Sequence, residues 1–316
     1  MLEIERRELV AKVPFWWHSY DFGDGAVARG HKSPDQLQQE WSRLNLSNLT
    51  GKTVLDINTW DGWFARQAES HGASRVVGLD WYVWCMDLPK HNEHYLRHKT
   101  ARTVPEPFHE MPYFRPTELP GKAGFDTAGR ILHSRVEAMV GDFATMNRDP
   151  LRNRVDVVLY LGTLYHMADP IGNLRRLYEV TAPGGFAVVE TQASAVVGFE
   201  DVPLCENYGP LHLLNADTSS WWSPNAMALR QMLLAVGFEK VEITVGPPPL
   251  GLPTISKRDA IRALLHWRLR NLIKPSPWQP KIHPYRAFAR AQRSVEKTTR
   301  PNPIPVPISA RGGNTV

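Results

Sequence analysis

The sequence predicts an α/β protein built on a mainly parallel sheet with helices on both faces. Three observations predict it. Short apolar runs alternate with helix-length stretches from Thr53 onward, the run Val155–Leu161 reads as a buried strand, and acids recur near the carboxyl ends of successive strands. With 316 residues and 42% hydrophobic content, the chain can fill the core of one large domain with insertions.

The first strand is Thr53–Ile57, a short apolar run, followed by turn-forming residues through Gly62 and a helix over Trp63–Ser70 that His71-Gly72 ends. Arg75–Asp80 is the second strand, completing a βαβ unit with a right-handed crossover. Arg135–Val140 and Val155–Leu161 are the next strands. Pro170–Thr181 is a helix, and Gly184-Gly185 separates it from the strand Phe186–Thr191. Pro224–Val236 is a helix, with Ser223 as its N-cap and Gly237 as its stop. Glu239–Val245 and Tyr285–Ala289 complete the sheet.

Three stretches interrupt the alternation, at 99–124, 193–222 and 246–282, and are candidates for substrate-side structure. The last holds a basic amphipathic helix, Ser256–Ile273, with Ile261, Leu264, Leu265, Leu269 and Leu272 on its apolar side. The domain plan is thus a cap segment at 1–45, the main domain at 46–293 with these insertions, and a disordered tail at 294–316. From Glu296 on, the tail is rich in Pro, Thr and Gly and has no periodicity.

A net charge of +5 and a pI near 9.2 permit nucleic-acid binding without demanding it, since 37 basic residues face 32 acidic ones. Two cysteines, Cys85 and Cys205, give neither a metal-ligand spacing nor a disulfide framework. No metal is expected. No run approaches the ~18 apolar residues of a membrane span and Met1–Lys12 is charged, so a cytoplasmic location is expected.

Open α/β sheets bind nucleotides at the carboxyl ends of their strands. The loop Asp56-Ile-Asn-Thr-Trp-Asp-Gly62 sits there, but lacks the G-x-G-x-x-G fingerprint of a pyrophosphate site. Asp56 and Asp61 suit a cationic cofactor instead. Asp80, 24 residues after Asp56, is placed to accept ribose hydroxyls, and Asp142 to accept from an adenine amino group with Phe143 beside the ring. Each acid taken alone reads equally as a turn or cap.

The runs Gly51–Phe64, Gly72–Asp80 and Leu161-Gly-Thr-Leu-Tyr-His-Met-Ala-Asp-Pro170, with Pro183-Gly-Gly185 after them, resemble class I S-adenosylmethionine-dependent methyltransferases. More narrowly they are similar to the branch that includes tRNA wobble-uridine carboxymethyltransferases. The resemblance spans about Phe15–Phe238 and implies a Rossmann-like sheet of seven strands with S-adenosylmethionine as cofactor. The expected cofactor contacts are Asp56, Asn58, Thr59, Trp60, Asp61, Gly62, Asp80, Trp81, Gly141, Asp142, Phe143, Leu161 and Gly162. Where the family carries glycines, this loop has Asn58-Thr-Trp-Asp61. The segment Trp16–Gly25 resembles an N-terminal part that would fold over the cofactor as a lid, unless it packs its aromatics into the core.

Methyl transfer from a sulfonium is an in-line displacement that needs alignment and exclusion of water, with no covalent protein intermediate. A hydroxyl or amine acceptor gains from a base. Tyr165 and His166, just past the fourth strand, are the candidate catalytic pair, or else a structural turn. Lys12, in Lys-Val-Pro-Phe15, resembles the lysine that holds the extra carboxylate of carboxy-S-adenosylmethionine in the tRNA branch, and Tyr208 is a further candidate contact. The rest of that set has no match here. Tyr113, Phe114, Phe199, Tyr208, Trp221 and Trp222 either wall a pocket or cover the core.

The leading expectation is methyl transfer to a hydroxyl or amine of a small molecule or glycan. The alternatives are tRNA carboxymethylation, with the basic helix at 257–274 on the RNA, and a non-catalytic binding protein that kept the fold.

Overall fold

In the computed structural model of the chain, residues 3–196, 199, 202–209, 214, 217, 219–246, 265 and 282–295 are described. The elements run α1 (Glu3–Lys12), β1 (Tyr20–Asp21), β2 (Val27–Ala28), α2 (Pro34–Leu44), β3 (Thr53–Ile57), α3 (Trp63–Ser70), β4 (Arg75–Asp80) and α4 (Leu88–Ala101). They continue with α5 (Ala123–Leu132), β5 (Glu137–Val140), β6 (Val155–Leu161), α6 (Pro170–Val180), β7 (Thr181–Val196), β8 (Cys205–Asn207), β9 (Trp222–Pro224), α7 (Ala226–Val236), β10 (Lys240–Gly246) and β11 (Ile282–Gln292).

Seven strands form one sheet in the order β10-β11-β7-β6-β3-β4-β5. β5, β4, β3, β6 and β7 are parallel, and β11 runs antiparallel between β7 and β10. The chain starts at β3, steps outward to β4 and β5, then returns to β6 on the other side. The connections after β3 and β6 therefore diverge, and a crevice opens between them. Val157, Val158, Leu159 and Tyr160 of β6 are all fully buried, as a central strand covered on both faces requires.

The parallel core follows the sequence closely and the margins do not. β7 and β11 are longer than expected because they pair continuously from Ile282↔Val196 to Gln292↔Phe186, well past their most apolar residues. β5 starts at Glu137, since the Arg135 N–H is taken by Glu69 Oε1 at 2.7 Å. Ser223 is not the cap of α7. It lies in β9, fully buried, and Asn225 caps the helix by accepting from Ala228 N at 2.8 Å. The interruption at 99–124 begins inside α4, and that at 193–222 begins inside β7. Of the predicted helix Ser256–Ile273 only Leu265 is described, and it is 53% exposed; the tail 296–316 lies outside the described residues.

Residues 3–45 are packed onto the sheet layer. Trp16, Tyr20, Phe22, Leu37, Trp41 and Leu44 share one core cluster with Val54, Phe64 and Ala65. α2 starts with a capping box, Ser33 Oγ accepting from Gln36 N at 3.3 Å while Gln36 Oε1 accepts from Ser33 N at 2.9 Å. Among the described residues no helix is long and apolar enough to cross a membrane.

Leu159→Ala, in the middle of β6, should cost about 2–5 kcal/mol, because a fully buried strand between two helical layers cannot collapse around the cavity. The exposed Ile4→Ala should cost less than about 0.5 kcal/mol. Urea midpoints at equal m-value measure both.

Candidate functional site

The loop after β3 turns sharply. Asn58, Trp60 and Gly62 have left-handed φ of 60°, 55° and 79°, alternating with ordinary residues. Glycine is the usual solution for such φ, and for Trp60 the conformation is strained by about 1–3 kcal/mol. The surroundings hold it in place. Trp84 Nε1 donates to the Trp60 carbonyl at 2.7 Å, and the Trp60 indole stacks on Trp17 at 4.5 Å, which stacks in turn on His31 at 4.6 Å. Gly62 is required on two counts: its φ is positive, and a Cβ there would lie 2.1 Å from Arg66 Nη1.

Asp61 faces the N-terminal segment. Its Oδ2 accepts from the Trp17 and His18 N–H groups, both at 2.9 Å, and its Oδ1 pairs with His18 Nδ1. The Asp61 carbonyl accepts from Tyr20 Oη at 2.9 Å and Arg66 Nη1 at 2.7 Å. The acid expected opposite a cationic cofactor thus fastens residues 17–20 to the loop.

The other three acids lie at or just past the carboxyl ends of neighbouring strands. β3, β4 and β5 are neighbours in the sheet, with Asp56 opposite Gly78 and Asp80 opposite Val140. Asp56 is 3% exposed and accepts from Thr59 Oγ1 at 2.5 Å. Burial pushes its pKa up to about 7 against that hydrogen bond, and the nearby Asp80 charge adds to the rise. Asp80 is fully buried, and burial lifts it to about 6 although the N–H groups of Trp60, Val83, Trp81 and Trp84 hold it down. Two of those N–H groups, Trp60 and Val83, reach its oxygens at 3.0 and 3.1 Å, so Asp80 also ties the two loops together. Asp142 is partly exposed and accepts from Ala144 N and Thr145 Oγ1, each at 2.9 Å, with Gly141 at the strand end beside it. Phe143, the expected neighbour of the adenine ring, is buried in the core cluster with its ring 6.2 Å from that of Tyr160. Trp81 packs edge-on to Phe114 at 5.2 Å.

Across the crevice, β6 ends at Leu161, and Gly162, with φ 66°, turns the chain and donates to the Glu190 carbonyl at 3.0 Å. Tyr165 and His166 follow in a single 3-10 turn, their rings 4.0 Å apart. Ser219 Oγ is 2.8 Å from His166 Nδ1 and donates to Asp217 Oδ1 at 2.6 Å, while Tyr95 Oη donates to the same oxygen at 2.7 Å. The imidazole therefore carries its proton on Nδ1, and Nε2 is left as the basic nitrogen. Burial pushes His166 below its ordinary value, with Asp217 opposing. Behind this turn Arg286 of β11 forms a bidentate pair with Glu190 of β7, and its guanidinium lies 5.3 Å over the Tyr165 ring.

Asp217, Ser219, Tyr95, Glu190 and Arg286 were not legible as site residues: the contacts that bring them in, His166–Ser219, Glu190–Arg286 and Tyr95–Asp217, join residues 53, 96 and 122 apart with no motif around them. Lys12 is exposed at the end of α1, and the Tyr208 side chain lies 3.2 Å from Glu206. Of the aromatics in the interruptions, Tyr113 and Tyr208 are buried as core cover, whereas Phe199 and Trp221 are exposed.

Asp61→Ala orphans the buried N–H of His18 and the half-buried N–H of Trp17, and should cost about 2–5 kcal/mol. Trypsin should then cut within residues 6–32 well before the sheet is degraded. Equal cleavage rates in both proteins would show that Asp61 does not anchor the segment.

A family model described as "Methyltransferase domain" matches residues 29–243. Two curated relatives are both tRNA U34 carboxymethyltransferases. That of Pseudomonas fluorescens (strain Pf0-1) is 24% identical over 80% of this chain and 65% of its own length, and that of Ectopseudomonas mendocina (strain ymp) is 27% identical over 64% and 50%. The chain thus spans between half and two thirds of the relatives it matches. Among solved structures, the [4+2]-cyclase SpnF has the same fold, with a TM-score of 0.50, 14% identity, and 93% and 94% of the two chains covered. With the family match covering most of the chain and the strand order β10-β11-β7-β6-β3-β4-β5, this chain belongs to the methyltransferase-domain family, the S-adenosylmethionine-dependent class that its motifs resemble.

Proposed function

We propose that the chain methylates a hydroxyl or amine of a small molecule or glycan, with His166 as the proton acceptor. The observation that carries this reading is the His166–Ser219–Asp217 chain at the switch point of the sheet. When bound, S-adenosylmethionine supplies an electrophilic methyl group on a cationic sulfur. The chain has a matching feature in Asp56, a buried carboxylate whose side-chain donor is Thr59 and which, among the described residues, forms no ion pair, the Arg66 charge lowering its pKa less than burial raises it. The proposed cofactor contacts are the backbone of Asn58–Gly62 and the carboxylates of Asp56, Asp80 and Asp142. Residues 17–20, fastened by Asp61, act as the lid that excludes water. His166 Nε2 takes the acceptor's proton, and Asp217, through Ser219, stabilises the imidazolium that forms.

A second reading, tRNA carboxymethylation, is favoured by the curated relatives. Arg286, beside the Tyr165–His166 turn, is already matched by Glu190, Arg66 is engaged by the Asp61 and Phe125 carbonyls, and Lys12 lies exposed at the end of α1. This supports the ordinary cofactor over its carboxylated form. Calorimetry with both cofactors, followed by mass spectrometry of small-molecule, glycan and tRNA pools for one added methyl or carboxymethyl group, separates the two readings. Preference for the carboxylated cofactor, lost in Lys12→Ala and accompanied by modified tRNA, would replace methyl transfer.

Two quantitative outcomes are expected. His166→Gln should lower kcat about 10²–10⁴-fold with little change in KM, and the wild-type rate should rise with pH through a value below the ordinary histidine range and then level off. Asp56, whose pKa in the folded chain is about 7 against ~3.9 unfolded, holds a proton in the native state that the unfolded chain releases. Cofactor-free stability should therefore fall as pH rises from about 4 to 7. Cofactor binding near pH 6.5 should release protons, measured by calorimetry in buffers of differing ionisation enthalpy. Asp56→Asn should abolish that release.

A further inference from the structure

The last turns of α4 carry His94 and His98, one helical turn apart and on one face. Their rings lie 4.5 Å apart, and the Nε2 atom of each lies 3.5 Å from Glu106 Oε2. The three ligand-capable atoms all fall within 4.8 Å of one another. Three ligands bound tetrahedrally at ~2.0–2.1 Å would stand about 3.4 Å apart, close to the two histidine–carboxylate separations. His98 Nδ1 lies 2.8 Å from Thr103 Oγ1, a hydroxyl able to accept from Nδ1–H while Nε2 faces the carboxylate as a lone-pair donor. His94 Nε2 is buried and makes no hydrogen bond.

Simple ion pairing explains this poorly. Two imidazolium rings at 4.5 Å would repel, and neutral rings leave a buried nitrogen without a hydrogen bond, which costs about 1–3 kcal/mol. A cation on both Nε2 atoms and the carboxylate removes both difficulties. Imidazole donors argue against magnesium and calcium, and a two-nitrogen, one-oxygen set favours a borderline metal such as zinc. The side chain of Glu106 is 56% exposed while those of His94 and His98 are 11% and 19% exposed, so the open coordination position faces solvent.

We propose that His94, His98 and Glu106 bind one zinc-class divalent cation, which clamps the chain after α4 onto the helix. The tied loop leads into Phe108, Met111, Tyr113 and Phe114, which pack with Met86 and Leu88 beside the cofactor crevice. Tyr95 on the same helix holds Asp217. The metal therefore steadies the wall that orients His166 and takes no part in the chemistry.

The test uses tag-free full-length protein stripped with EDTA and titrated with zinc chloride against a chromophoric chelator. One equivalent per chain is expected, and cobalt(II) in its place should give the visible absorption of a four- or five-coordinate site. His98→Gln and Glu106→Gln should each weaken zinc binding by tenfold or more, and Thr103→Val by about 10–100-fold through loss of ring orientation. The exposed His133→Gln should bind as the parent does. Far-UV circular dichroism confirms that each variant is folded; Glu106, being exposed, guards against a folding failure at the histidines. Absence of stoichiometric uptake at micromolar zinc, or uptake unchanged in both ligand variants, would overturn the proposal. None of these readouts depends on the acceptor or on turnover.

Discussion

The crevice depends on one buried carboxylate that does not belong to any strand. Asp61 gathers two backbone N–H groups and an imidazole from residues 17 and 18, while its own carbonyl takes Tyr20 and Arg66. A buried acid is tolerated only when its lone pairs are filled, so the segment that fills them is held against the loop as firmly as the loop is held against the sheet. The same contact positions Trp17 over Trp60. Ring stacking worth about 0.5–1.5 kcal/mol, with the Trp84 hydrogen bond, offsets the strain of a tryptophan with φ 55°. Three left-handed residues survive in a loop that has a single glycine.

This arrangement has an electrostatic consequence. With Asp61 committed to the N-terminal segment, Asp56 and Asp80 are the acids that remain beneath the loop, both shut off from water and both raised by burial. Asp80 has its backbone donors in place and sits lower. Asp56 has one hydroxyl donor, from Thr59, and sits near neutrality. A site that holds an acid near neutrality until a cation arrives couples ligand binding to proton release. The opposite wall is built on different terms. Glu190 and Arg286 compensate each other across two antiparallel strands, and Tyr165 and His166 stand on that pair.

The parallel strands and their order of use were legible because β3, β4, β6 and β7 contain short apolar runs whose periodicity reports burial, while the mostly exposed β5 was legible from its place in the alternation. The three acids at adjacent strand ends were legible for the same reason: position along a strand fixes position in the sheet. The cap of α7 was misread at Ser223 because a local rule ranks Ser and Asn alike. Pairing with β8, a non-local fact, removed Ser223 from the helix. His94 and His98 gave no signal in the sequence, where no metal was expected, because the carboxylate beside them sits across an irregular loop.

The sequence by itself determined the sheet, its parallel grammar, the family and the acids at the strand ends, since these follow from residue periodicity and short-range turn chemistry. Tertiary structure alone decided what each acid faces. Asp61 turned toward the N-terminal segment, Asp217 was brought to His166 through Ser219, and Arg286 was matched to Glu190, from distances of 43, 53 and 96 residues along the chain. A carboxylate's role is set by the donors and charges within a few ångströms of it, and chain proximity does not report those neighbours.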